Sequence, residues 1–85
     1  MTTYYKGYSE SEHGEGEIYI ECDGDIVIRQ IEIYNGAKYW ATLHDHYDIS
    51  HSICDQPVSK LDLTLAHQID RHEFEQAWLE ARSIA

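Results

Sequence analysis

Residues 17–44, EIYIECDGDIVIRQIEIYNGAKYWATLH, decide the fold. Three β-prone runs lie here: residues 17–22, 25–34 and 37–44, separated by Asp23-Gly24 and Asn35-Gly36. Asp-Gly and Asn-Gly favour two-residue type I′ hairpin turns, because both central positions of that turn need a positive φ. Two such turns between three runs predict an antiparallel β-meander. Residues 17–22 alternate, with Ile18 and Ile20 on one side and Glu17, Tyr19 and Glu21 on the other, the pattern of a half-buried strand.

With both turns ideal, Ile20 lies opposite Val27 and Ile31 opposite Trp40. Val27, Ile31, Ile33 and Trp40 then share a face with Ile18 and Ile20. Arg29 falls on that same face, whereas Ile26 and Ile28 fall on the other. The conflict predicts a β-bulge near Arg29, or a sheet with apolar surface on both sides.

Working outward, residues 3–8 are aromatic and β-prone and make a first strand, and residues 9–16 (SESEHGEG) read as a polar loop. Residues 45–57 (DHYDISHSICDQP) are irregular and end at Pro57. Residues 59–69 fit two readings. Leu61, Leu63 and Leu65 alternate as in a strand, and Ser59 with Asp62 would cap a helical turn. Beyond them Asp70 is an N-cap, Glu73 completes a capping box, and Ile69 with Phe74 forms a hydrophobic staple. Phe74, Ala77, Trp78 and Ala81 recur as an amphipathic stripe, which predicts a helix over Arg71–Ser83. The expected architecture is α+β: an antiparallel three- to four-stranded β-meander packed against a C-terminal amphipathic helix, in one domain of 85 residues.

The runs 17–23 (EIYIECD), 28–36 (IRQIEIYNG) and 73–78 (EFEQAW) resemble a small bacterial domain of unknown function. That family has an aromatic first strand, a Tyr-Ser-Glu-Leu-Asp string, an Arg-Lys-apolar-Glu-apolar-Phe-x-x-Gly string and a Glu-Phe-Glu-x-x-Trp helix. Here Ile20-Glu21-Cys22 stands where Ser-Glu-Leu is usual, and the His-rich insert at 44–51 has no counterpart. The resemblance implies a β-sheet with a C-terminal helix and brings no catalytic residues. Small acidic domains of this sort are similar to the immunity partners of bacterial toxins.

Charge points to function. Sixteen Asp and Glu face six Lys and Arg, for a net charge of −10. Glu10, Glu12, Glu15, Glu17, Glu21, Asp23 and Asp25 fall in one stretch with no base among them. A field of that sign repels nucleic acid and anionic membrane and attracts basic proteins. With 42% apolar residues, seven Tyr, two Trp and one Phe, the chain has the composition of a folded domain rather than an acidic tail. The candidate partner-binding residues are Glu10, Glu12, Glu15, Glu17, Tyr19, Glu21, Asp23 and Asp25, with Asp45 and Asp48 as a second patch. Tyr19 would supply contact area and the acids would supply steering. The expected function is inhibition of a basic protein, either a toxin bound by its immunity protein or a nuclease bound by a phage-type inhibitor or DNA mimic. An exposed edge strand would allow pairing of two copies.

The alternative is a zinc site from His44, His46, His51 and Cys54, beside Asp45. The ligand types suit zinc, but the spacing matches no standard signature. His51 with Cys54 has no orienting third group for nucleophilic catalysis, and Gly14-x-Gly16 is no phosphate loop, so neither an enzyme nor a cofactor is expected. Cys22 and Cys54 lack a CxxC spacing and read as a reduced pair. The N-terminal residues lack a basic segment followed by an apolar run, which makes cytoplasmic location the expectation.

Overall fold

The computed structural model describes residues 2–11, 14–45, 53, 57–60 and 66–83. Five strands, β1 (Thr2–Ser11), β2 (Gly14–Asp23), β3 (Ile26–Tyr34), β4 (Ala37–Thr42) and β5 (Ala66–Ile69), form one antiparallel sheet in the order β4-β3-β2-β1-β5. A helix, α1 (Arg71–Ser83), covers one face. The fold is α+β with a meander of four consecutive strands. The fifth strand returns beside β1, so the run 66–69 settles as strand, and a 3₁₀ turn occupies Val58–Lys60. Leu61, Leu63 and Leu65 lie outside the described residues.

The Asn35-Gly36 turn forms as expected. Asn35 (φ 52°) and Gly36 (φ 84°) are both left-handed, and Tyr34 pairs with Ala37. Ile31 accordingly faces Trp40. The other turn is shifted by one residue. Asp23 pairs with Ile26, so Gly24 and Asp25 are its central residues, and among the two only Gly24 (φ 61°) is left-handed. Glycine at the first position alone is the requirement of a type II′ turn. Cys22 therefore faces Val27, and Ile20 faces Gln30 rather than Val27.

The register then slips between Glu21 and Cys22, because Glu21 pairs with Arg29 while Cys22 pairs with Val27. Ile28 is the extra residue of a bulge. An extra residue reverses the alternation of the rest of the strand. Val27 stays on the face of Ile20 and Cys22, while Arg29, Ile31 and Ile33 turn to the opposite face. The expected common face of Ile18, Ile20, Ile31, Ile33 and Trp40 is thus divided in two. Beneath α1 lie Tyr4, Tyr19, Ile31, Trp40 and Ile69 with Phe74, Trp78 and Ala81 of the helix. On the far face Ile20, Cys22 and Val27 pack with Tyr5, Ile18, Ile53 and Val58.

The helix is built as its sequence predicts. The Glu73 N–H donates to Asp70 Oδ1 at 2.8 Å, an N-cap worth ~1 kcal/mol. Phe74 and Trp78 stack at 6.4 Å, Phe74 meets Tyr4 at 5.2 Å, and Trp78 meets Trp40 edge-on at 6.0 Å. The helix begins beside β1, where Lys6 reaches Glu73, and ends over β4, where Lys38 reaches Glu80.

Residues 9–11 and 14–16, expected as a loop, are strand. β1 and β2 stay paired from Thr2↔Asp23 to Ser11↔Gly14. Gly16 makes this possible. A Cβ there would lie 1.9 Å from the Ile33 carbonyl oxygen and 2.6 Å from Tyr34 Cδ1. The Tyr34 ring lies across Gly16, and its hydroxyl meets Ser9 Oγ at 2.7 Å and donates to Glu32 Oε1 at 2.7 Å. Glycine, which disfavours strands in isolation, is here packed by a neighbouring ring.

Candidate functional site

The β1–β2 hairpin outruns its neighbours. β5 pairs with β1 only over Tyr4–Gly7, and β3 pairs with β2 only as far as Gly16. Glu10 and Glu15 thus sit on a two-stranded projection, with Tyr8 at its base opposite Glu17, which still pairs with Ile33 of β3. Tyr8 faces Glu17 and Glu10 faces Glu15 across the hairpin, all four on the helix side of the sheet. The Tyr8 hydroxyl lies 2.9 Å from Glu10 Oε2 and 3.3 Å from Glu15 Oε1, and donates its single proton between them. Tyr8 is nevertheless 45% exposed. A phenol ring is therefore offered to solvent with two carboxylates tied to its rim.

The hydrogen bond to Glu10, then desolvation and the charges of both carboxylates, push the Tyr8 phenol up to about 12. Absorbance titration of Tyr8 should show this late deprotonation, and Glu10→Gln should bring it back towards 10.0. A Tyr8 titration unmoved by Glu10→Gln would contradict the hydrogen-bonded arrangement.

Glu17, also exposed, accepts from Lys6 Nζ at 3.2 Å. Lys6 lies 5.3 Å from the Tyr19 ring, and hydrogen bonds to Tyr19 and then Glu17 hold its pKa above the ordinary lysine value.

Two expected surface residues are not on the surface. Tyr19 is 9% and Glu21 7% exposed, both beneath α1. Period-2 alternation does separate them from Ile18 and Ile20, but the face they occupy is the one the helix covers. Glu21 is held by Arg29 Nε, while the Arg29 Nη atoms grip both oxygens of Glu75 at 3.0 and 2.9 Å. The Arg29 guanidinium also lies 4.9 Å from the Phe74 ring and 5.1 Å from that of Trp78. Burial alone would lower the Arg29 pKa, but its bonds to Glu75 and Glu21 outweigh that and raise it. The same bonds hold the Glu75 carboxyl below its ordinary value against the opposing effect of burial. Burial, then a hydrogen bond to Glu21, pushes the Tyr4 phenol up.

The other candidates are dispersed. Asp23 lies at the opposite end of β2, eight residues or about 27 Å along the strand from Glu15, and Asp25 lies in the turn beyond it. Asp25 is committed to structure: its carboxylate accepts from the Ser59 N–H at 2.7 Å and from Ser59 Oγ at 3.1 Å. Asp45 is exposed beyond β4, where its carbonyl oxygen accepts from the Thr42 N–H at 2.7 Å. Glu12 and Asp48 lie outside the described residues. So do His46, His51 and Cys54 of the zinc alternative, while His44 is exposed. Among the described residues no three His, Cys, Asp or Glu side chains are grouped to hold a metal ion, and no helix is long and apolar enough to cross a membrane. Cys22 is buried.

The bases with described side chains are all engaged within the chain. Lys6 serves Glu17 and Glu73, Arg29 serves Glu21 and Glu75, Lys38 serves Glu80 and Arg71 serves Glu75. Arg82 lies 4.2 Å over the Trp40 ring. None of them neutralises Glu10 or Glu15. Glu10 and Glu15 thus carry negative charge beside Tyr8 that none of these bases offsets. Tyr8 is the residue the sequence reading overlooked. Its two-residue spacing from Glu10 puts them on one face of a strand, a signal that a loop over 9–16 would erase. Comparison with family models, with curated proteins and with solved structures finds no match for this chain.

Proposed function

We propose that this protein is a small acidic binding protein that neutralises a basic partner, docking through the β1–β2 projection. The exposed Tyr8 ring carried between Glu10 and Glu15 supports the reading best. Tyrosine gives large rigid contact area and carboxylates give steering and orientation, so the pair suits a surface rich in Arg and Lys. Glu17 extends the same acidic surface. A partner that holds nucleic-acid phosphates on basic residues would be blocked by this surface without any chemistry, as an immunity protein blocks a nuclease toxin or a phage-type inhibitor blocks a defence nuclease. The bacterial immunity-like resemblance of the sequence agrees with the first form. The field itself disfavours direct binding to nucleic acid or anionic membrane.

Binding should be steered and salt-sensitive, since charges separated by more than ~8 Å are screened at physiological ionic strength. The test is affinity capture from the native host at low and high salt, with wild type beside Tyr8→Ala/Glu10→Lys/Glu15→Lys. A basic protein captured by wild type at low salt, released at high salt and not captured by the triple variant supports the proposal. A partner retained equally by the triple variant, or no basic partner at all, counts against it.

A further inference from the structure

We infer, on the basic-partner reading, that the partner docks on a shelf between the hairpin and α1, where it presents an apolar side chain flanked by Arg or Lys. Cross-strand pairing sets Tyr8 beside Glu17, Glu17 beside Ile33 and Ile33 beside Lys38. Residues that face each other across an antiparallel sheet share a side, so these four make one row on the helix side. The neighbouring row runs through Tyr19, Ile31 and Trp40, all buried beneath α1. Ile33 is half-buried, so the helix covers one row and leaves the other at its edge. Glu73, Ala77 and Glu80 form the helix stripe on that edge, at i, i+4 and i+7. Lys6 Nζ lies 3.2 Å from Glu17 and 3.9 Å from Glu73, and Lys38 Nζ lies 3.3 Å from Glu80. Between these bridges, half-buried Ala77 packs against the same core cluster as Ile33.

Ile33, Ala77 and the exposed Tyr8 ring thus make an apolar strip with carboxylates on both sides. Glu10, Glu15 and Glu17 come from the hairpin, and Glu73 and Glu80 from the helix; all five are exposed. Protein interfaces combine an apolar centre with a polar rim, and the centre carries most of the binding energy. The hairpin acids by themselves are rim. The strip supplies the centre. Lys6 and Lys38 answer Glu17, Glu73 and Glu80, which leaves Glu10 and Glu15 to make the rim negative. An aliphatic side chain seated on Ile33 and Ala77 would have carboxylates at both edges, and Arg or Lys on either side of it would meet them. The row from Tyr8 to Lys38 crosses three strand spacings, about 14 Å, the length of about four residues of an extended segment or about nine of a helix.

The test is amide NMR of the full chain titrated with two synthetic peptides of equal charge, acetyl-Arg-Leu-Arg-Arg-Leu-Arg-amide and acetyl-tetra-arginine amide. The mixed peptide should bind several-fold tighter and shift the Ile33 and Ala77 amides together with those of Tyr8 and Glu10. Ala77→Arg, which fills the strip with bulk and positive charge, should weaken that binding about tenfold or more. Gln76→Arg makes the same charge change on the exposed side of α1 and should weaken it about twofold. Equal binding of the two peptides, with shifts confined to residues around Glu10 and Glu15, overturns the shelf and leaves hairpin docking standing. Binding of neither peptide at millimolar concentration overturns the shelf and counts against hairpin docking as well. Equal weakening by the two arginine variants also overturns the shelf. If Ala77→Arg does not fold, the wild-type shifts at Ile33 and Ala77 decide alone.

Discussion

Replacing Gly16 by alanine is expected to cost about 3 kcal/mol or more of folding stability, enough to leave much of so small a domain unfolded. The added methyl would sit 1.9 Å from the Ile33 carbonyl oxygen, which belongs to the backbone of the neighbouring strand. A flexible side chain could swing aside, but a carbonyl in a ladder cannot. The β2–β3 spacing would have to open just where Tyr34 bridges from β3 to Ser9 on β1. Urea denaturation supplies the measurement, and Gly24→Ala supplies the control. Gly24 also has a positive φ, but nothing lies within 4 Å of the would-be methyl, so only the left-handed backbone is penalised, by about 1–2 kcal/mol. A Gly16→Ala midpoint no lower than that of Gly24→Ala would refute the close approach. Because Gly16 joins the sheet to the hairpin end that carries Glu10 and Glu15, a partly folded Gly16→Ala protein should also lose partner binding.

Arg29→Met is expected to cost about 3–5 kcal/mol, the usual result of leaving one member of a buried ion pair without its counter-charge. Glu21 would remain beneath α1 with its cation gone, and Phe74 and Trp78 would lose the guanidinium lying on them. The double variant Arg29→Met/Glu21→Gln should regain part of the loss, because the stranded charge is then removed too. Additive losses in that double variant would mean that Glu21 and Arg29 do not act as a pair. The pH dependence carries the same signature. Glu75 has a folded pKa below its ordinary 4.5, so its contribution is complete above about pH 4.5 and disappears as pH falls through the lower folded value. Tyr4 has a folded pKa above 10.0, so its contribution is complete below pH 10 and disappears as pH rises through the raised value. Stability should therefore fall at both extremes, and the acid-side loss linked to Glu75 should shrink in Arg29→Met.

Much of the architecture was legible from local chemistry. Asn35-Gly36 named its own turn because two successive left-handed residues are tolerable for few other pairs. Asp70, Glu73 and the Phe74–Trp78 spacing named the helix to the residue, because caps and stripes depend on neighbours three and four apart. The excess of acid over base was likewise plain. Less was legible of the site. The acidic run from Glu10 to Asp25 looks continuous in sequence, but β2 carries Glu15 and Asp23 to opposite ends of the strand, and Tyr19 and Glu21 between them are buried.

What only the tertiary structure decided was which side of the sheet the helix would cover. Local alternation sorts residues into two faces without saying which is inside, and aliphatic Ile18 and Ile20 look like the better core than Tyr19 and Glu21. The choice turned on a one-residue shift at Gly24 and a bulge at Ile28, which set Arg29 opposite Glu21 and under Phe74, Trp78 and Glu75. A carboxylate becomes a core residue only when a distant cation arrives to neutralise it, and that arrival depends on register and on a helix 46 residues further along the chain from Arg29 to Glu75. Turns, caps and net charge are short-range properties written in adjacent residues. The partition of those charges between a buried ion network and an exposed Tyr8 surface is a long-range property of the folded sheet.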